Sequence, residues 1–105
     1  MAKRRQVVLT RKPSQGETRP LGSRREVGDT FARYNTSTDG GPARGAGTET
    51  LYGPGMLVEL PTGSPTIVQA MVSMSDDELA MPVLMRLCKE QGWQMVDLES
   101  GRAFG

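Results

Sequence analysis

Apolar positions along this 105-residue chain cluster after residue 50, and their spacing predicts strand, strand, helix and strand in that order. Residues 56–60 (Met-Leu-Val-Glu-Leu) read as the first strand, set off by Gly53-Pro54-Gly55. Pro61-Thr62-Gly63-Ser64-Pro65 is turn by composition, and five residues is a permitted hairpin length. Residues 66–74 form the second strand. Val68, Ala70, Val72 and Met74 give it one wholly apolar face, while Ile67, Gln69, Met71 and Ser73 make the other mixed. That alternation predicts one face packed on a helix and the other partly wet.

Ser75-Asp76-Asp77-Glu78 has the pattern of a capping box with Ser75 as N-cap, and its acids complement the positive end of a helix dipole. The helix is predicted over residues 76–91, ending at Gly92. Pro82 falls near its seventh position, where a missing N–H predicts a kink in a single helix. Leu79, Ala80, Met81, Val83, Leu84, Met85, Leu87 and Cys88 spread around the helix, which asks for cover on more than one side. Residues 93–99 are the last strand.

The first half is read differently. Residues 6–10 form a short strand flanked by charge, and residues 13–22 a loop. Residues 24–34 carry a faint helical pattern, with Ser23 and Glu26 at its start and Val27, Phe31 and Tyr34 at i, i+4 and i+7. Residues 35–50, rich in glycine, serine and threonine, read as a linker. The fold class expected is α+β: a small ββαβ module over residues 55–105, a truncated ferredoxin-like split βαβ, after a largely irregular basic arm over residues 1–54. Insertion of residues 6–10 between the two parallel strands would complete a βαββαβ domain. The long glycine-rich stretch over 35–54 favours the truncated form.

Size sharpens this picture. A core drawn from about 50 residues is marginal by itself, which predicts a homo-oligomer or a protein partner. Charge divides the chain further. Residues 1–50 hold ten Lys/Arg against five Asp/Glu, and residues 51–105 hold three against seven, beneath a net charge of only +1. Lys3, Arg4, Arg5, Arg11 and Lys12 put five cations in twelve residues, a candidate footprint for RNA or DNA phosphates.

Other chemistry is thinly provided. The chain has one cysteine, Cys88, and no histidine, so the common zinc, haem and iron–sulfur ligand sets are missing and no cofactor is expected. Cys88 lies in an apolar helical run and reads as an inert buried thiol, which suits the cytoplasm. No apolar stretch has the ~20 residues of a membrane span, so no membrane contact is expected. Asp76, Asp97 and Glu99 fall at the carboxyl ends of the parallel strands, where a divalent ion would sit if these carboxylates converged; Arg102 is beside them. The methionines lie mostly at core-like spacing, with Met81 and Met85, one turn apart, the candidates for a partner-docking face. The function expected is a non-enzymatic binding or assembly module: the apolar helix and sheet dock a protein or a second copy, and the basic arm contacts an acidic surface. The alternatives are a small Mg²⁺-dependent enzyme and a purely structural assembly subunit.

Overall fold

A computed structural model describes residues 5–12, 19–37, 48–61 and 63–104. It is a small α+β domain: five antiparallel strands carry the sheet, a two-residue strand extends one edge, and two helices pack on it. The main elements are β1 (Arg5–Arg11), α1 (Arg24–Ala32), β3 (Thr48–Gly53), β4 (Met56–Pro61), β6 (Gln69–Met74), α2 (Asp77–Gln91), β7 (Trp93–Asp97) and β8 (Ala103–Phe104). Two short strands, β2 (Gly22–Ser23) and β5 (Thr66–Ile67), pair with each other in a second, two-stranded sheet. The order across the sheet is β3-β4-β6-β1-β7-β8, with every neighbouring pair antiparallel.

β1 is the strand on which the rest depends. Val7 and Leu9 point to the helix side, opposite Val72 and Ala70 on one neighbour and Asp97 and Met95 on the other. Three apolar residues are too few for periodicity to reveal a central strand, yet pairing on both sides gives each of them cross-strand partners. β6 and β7 therefore run in the same direction with β1 between them, joined by α2. The core draws on both halves of the chain: Val7, Leu9, Leu21, Val27, Phe31 and Tyr34 bury together with Val58, Val72, Leu84, Leu87 and Trp93.

Several expectations are corrected. Beyond the short strand at 6–10 and the faint helix at 24–34, where β1 and α1 lie, the arm is expected to be irregular, but residues 48–53, which begin in the presumed 35–50 linker, add β3. β3 pairs along its whole length with β4 across the Pro54-Gly55 turn. Its single buried hydrophobe, Leu51, gives no period to read, and its threonines suit a sheet edge. The second predicted strand breaks at Val68. Ile67, on β5, is buried, while Val68 is 51% exposed between β5 and β6. The chain leaves the main sheet there to pair with β2, so the connection from β4 is wider than a five-residue hairpin.

Of the two capping patterns in the sequence, the one at Ser23 forms a capping box and the one at Ser75 does not. At α1, Ser23 Oγ accepts from Glu26 N–H at 3.1 Å, and Glu26 Oε1 accepts from Ser23 N–H at 2.9 Å. At α2 the N-cap is Asp76, whose Oδ1 accepts from the N–H groups of Glu78 and Leu79 at 3.0 and 3.3 Å. Ser75 is committed to the β3–β4 turn, donating from its N–H and its Oγ to the Gly55 carbonyl. α2 is one helix through Pro82, and Gly92, in the left-handed region at φ 72°, ends it. Its buried residues are Ala80, Leu84, Leu87 and Cys88, with Met81 and Val83 against the core margin. Leu79 and Met85 are 56% and 42% exposed, so the second cover expected around this helix is only partly supplied. No helix among the described residues is long and apolar enough to cross a membrane.

Candidate binding surfaces

Strand alternation divides the basic residues as firmly as the apolar ones. Arg5 and Arg11, odd-numbered like Val7 and Leu9, turn to the helix side of β1. Arg5 Nε donates to Asp97 Oδ2 at 2.9 Å, and its guanidinium also pairs with Asp77 at 3.5 Å. Arg11 donates to the carbonyls of Pro20 and Leu21 at 2.8 and 3.0 Å, fastening the chain that leads into α1. Lys12 is exposed at the strand's end, its N–H bonded to the Gly92 carbonyl. Lys3 and Arg4 lie outside the described residues. Of the five cations in the proposed nucleic-acid footprint, two are thus engaged within the fold.

The carboxylates also have structural tasks. Asp97 is buried, and its Oδ1 accepts from the N–H groups of Glu99 and Ser100 at 2.8 and 3.3 Å while Oδ2 faces Arg5. The Glu99 amide, with Arg5 next, holds its pKa below the ordinary carboxylate value. Arg5 is raised in turn, chiefly by its bond to Asp97. Asp76 caps α2, and Glu99 is exposed in the turn after β7. Among the described residues no group of three or more metal-binding side chains converges.

Two titratable groups lie near the C-terminal end of α2. Burial pushes the Cys88 thiol up to about 11, against a smaller lowering by Lys12. Tyr34 donates a short hydrogen bond to Glu90 Oε1, which raises the phenol's pKa, and the Arg86 guanidinium stands 5.3 Å from its ring centroid. Arg33, Tyr34, Arg86, Glu90 and Gln91 border an open depression of about 470 Å³. These contacts join the end of α1 to α2, and a carboxylate already occupies the Tyr34 hydroxyl.

Among the described residues, the sheet face away from the helices is open. One row of paired residues crosses all six strands as Thr50, Glu59, Met71, Val8, Val96 and Ala103. The next row carries Tyr52, Leu57, Ser73 and Gln6. Val8, Leu57, Met71 and Val96 are half-buried on this face, and neither described helix lies over them. A shallow depression of about 330 Å³ lies on this face, bordered by Gln6, Thr48, Glu59, Pro61, Gln69 and Met71. Glu59 is the one charged side chain among its outward strand positions in the described residues.

Sequence reasoning singled out Met81 and Met85 and passed over Val8, Leu57 and Val96. Their signal was present as alternation, but it needed β1 in the middle of the sheet before it became a surface. Met81 packs against the core margin, and Met85, like Leu79, is an exposed apolar residue of α2. Comparison of the chain with protein-family models, with curated proteins and with solved structures gives no match.

Proposed function

We propose that this protein is a non-enzymatic binding or assembly module whose contact surface is the open face of its sheet. The observation that carries the reading is the row Met71, Val8 and Val96, aliphatic side chains in the centre of a sheet with no described element over them. An antiparallel sheet tolerates one wet face, but such faces are ordinarily lined with polar and charged residues. Here a nearly uncharged surface of aliphatic, amide and hydroxyl groups spans the sheet. Of the carboxylates offered for an Mg²⁺ site, Asp76 is taken up in a cap and Asp97 in a turn and an ion pair. The exposed Glu99 is left without a second ligand among the described residues, so the enzymatic reading has no support.

The strand order also supports placing the domain with ferredoxin-like split βαβ topologies. β1 leads through α1 to the β3–β4 hairpin, β6 leads through α2 to β7, and β1 separates β6 from β7. β3 and the β2–β5 pair are additions to that plan.

A photo-crosslinking amino acid in place of Met71, and separately in place of Met85, tests the contact surface in the protein's own cells. The reading expects a covalent adduct from position 71 and little from 85. Adducts from 85 alone would move the contact to the helix layer, and no adduct from either position would end the proposal.

A further inference from the structure

We infer that the occupant of the open sheet face is a second copy of this chain, packed face to face. The inference rests on the reading of that face as the contact surface and adds the identity of what covers it. Three features of the surface support it.

Charge comes first. A nucleic acid or a strongly charged protein is held by opposite charge on its receptor, and this face offers one carboxylate and no cation among its outward strand positions in the described residues. The cations Arg5 and Arg11 point to the opposite side of the sheet. A partner without strong charge is what the surface fits, and the surface itself meets that description.

Area comes second. Five strands at ~4.8 Å spacing and about five residues of ~3.4 Å rise give a face of roughly 24 by 17 Å. That is about 400 Å² per copy, so two copies bury roughly 800 Å², the size of a weak, concentration-dependent association.

Symmetry comes third. In a two-fold dimer the same patch must complement itself. An axis parallel to the strands, between β6 and β1, sets Val8 of each copy over Met71 of the other. The same operation carries Glu59 from β4 to a position over β7, beside Val96. The two Glu59 carboxylates then lie three strand spacings apart, ~14 Å, and do not touch. The apolar centre meets itself and the like charges do not.

The test uses the purified full chain. Sedimentation equilibrium from 1 to 300 µM is expected to show a species of twice the chain mass, weakened more than 100-fold by Val8→Glu and unchanged by Met85→Glu. Should Val8→Glu fail to fold, Met71→Cys serves instead. Cys88 is buried with its pKa pushed up to about 11, so residue 71 carries the one reactive thiol, and its labelling is expected to slow as concentration rises. A monomer throughout, with labelling of residue 71 independent of concentration, overturns the inference. So does a dimer dissociated by Met85→Glu rather than by Val8→Glu. If the chain stays monomeric but a single-stranded RNA oligonucleotide protects residue 71, the face belongs to nucleic acid and the second copy is wrong. A monomer that still gives heteromeric adducts from position 71 in cells keeps the binding reading and removes only this inference.

Discussion

At the scale of single residues, Asp97 and Gly55 show how little of this molecule's specification lies in its hydrophobic pattern. Asp97 ends β7 facing the helix side, and its carboxylate ties the following turn to Arg5 at the start of β1. Its folded pKa lies below the unfolded value, so its stabilising contribution is complete above the ordinary carboxylate range. That contribution is lost as pH falls through the folded value. Glu26 is lowered in the same sense, mainly by the Ser23 amide it accepts from. Urea midpoints between pH 2 and 7 are expected to fall with acid for the natural protein. Asp97→Asn should lower the midpoint at pH 7 and narrow its gap to the natural protein toward pH 2. A gap that stays constant with pH would contradict the assignment.

Gly55 makes a sharper case. It holds φ at 62°, and a Cβ there would lie 2.6 Å from the Asp76 carbonyl oxygen. Gly55→Ala is expected to cost on the order of 1–3 kcal/mol in chemical denaturation, from backbone strain and from the bonds Ser75 and Asp76 make to the Gly55 carbonyl. Trp93 Nε1 is buried without a hydrogen-bond partner among the described residues, and the structure offers no account of it.

At the scale of elements, legibility followed the number of apolar residues each element buries. α2, β4 and β7 carry enough of them for period 3.6 or 2 to show, and their bounds were close to those read from sequence. β3 buries Leu51 alone, and its first three residues carry the composition of the 35–50 linker. The break at Val68 was hidden because a strand that changes partner keeps its β-branched composition. Ser75 was taken for the N-cap because composition cannot show that the Gly55 carbonyl claims it. α1, with Gly28 and two buried side chains, owes its place to Phe31 against Trp93, centroids 5.7 Å apart and edge to face. Leu51→Ala is therefore expected to cost about 2–5 kcal/mol by thermal or urea unfolding, as for any fully buried leucine. A change below about 0.5 kcal/mol would return residues 48–53 to the status of a loose edge.

At the scale of the whole molecule, the two halves share one core. The sequence pointed to a module over residues 55–105 in need of company, and much of that company is the chain's own β1, α1 and β3. A fragment starting near residue 51 lacks the strand between β6 and β7. It is expected to lack a cooperative thermal transition, whereas a folded fragment with one would contradict the central place of β1. Among the described residues the outer sheet face is left bare, and its residues are legible in the sequence only as the mixed side of an alternation. Which strands lie side by side is decided by pairs such as Val8 with Val96, 88 positions apart, and no local pattern encodes that. The most direct measurement is methyl NMR of the methionines across a dilution series. If the open face is the contact surface, the Met71 ε-methyl signal shifts or broadens with concentration while those of Met81 and Met85 stay fixed. Movement of Met81 and Met85 with Met71 unchanged would place the contact on the helix layer and contradict the account.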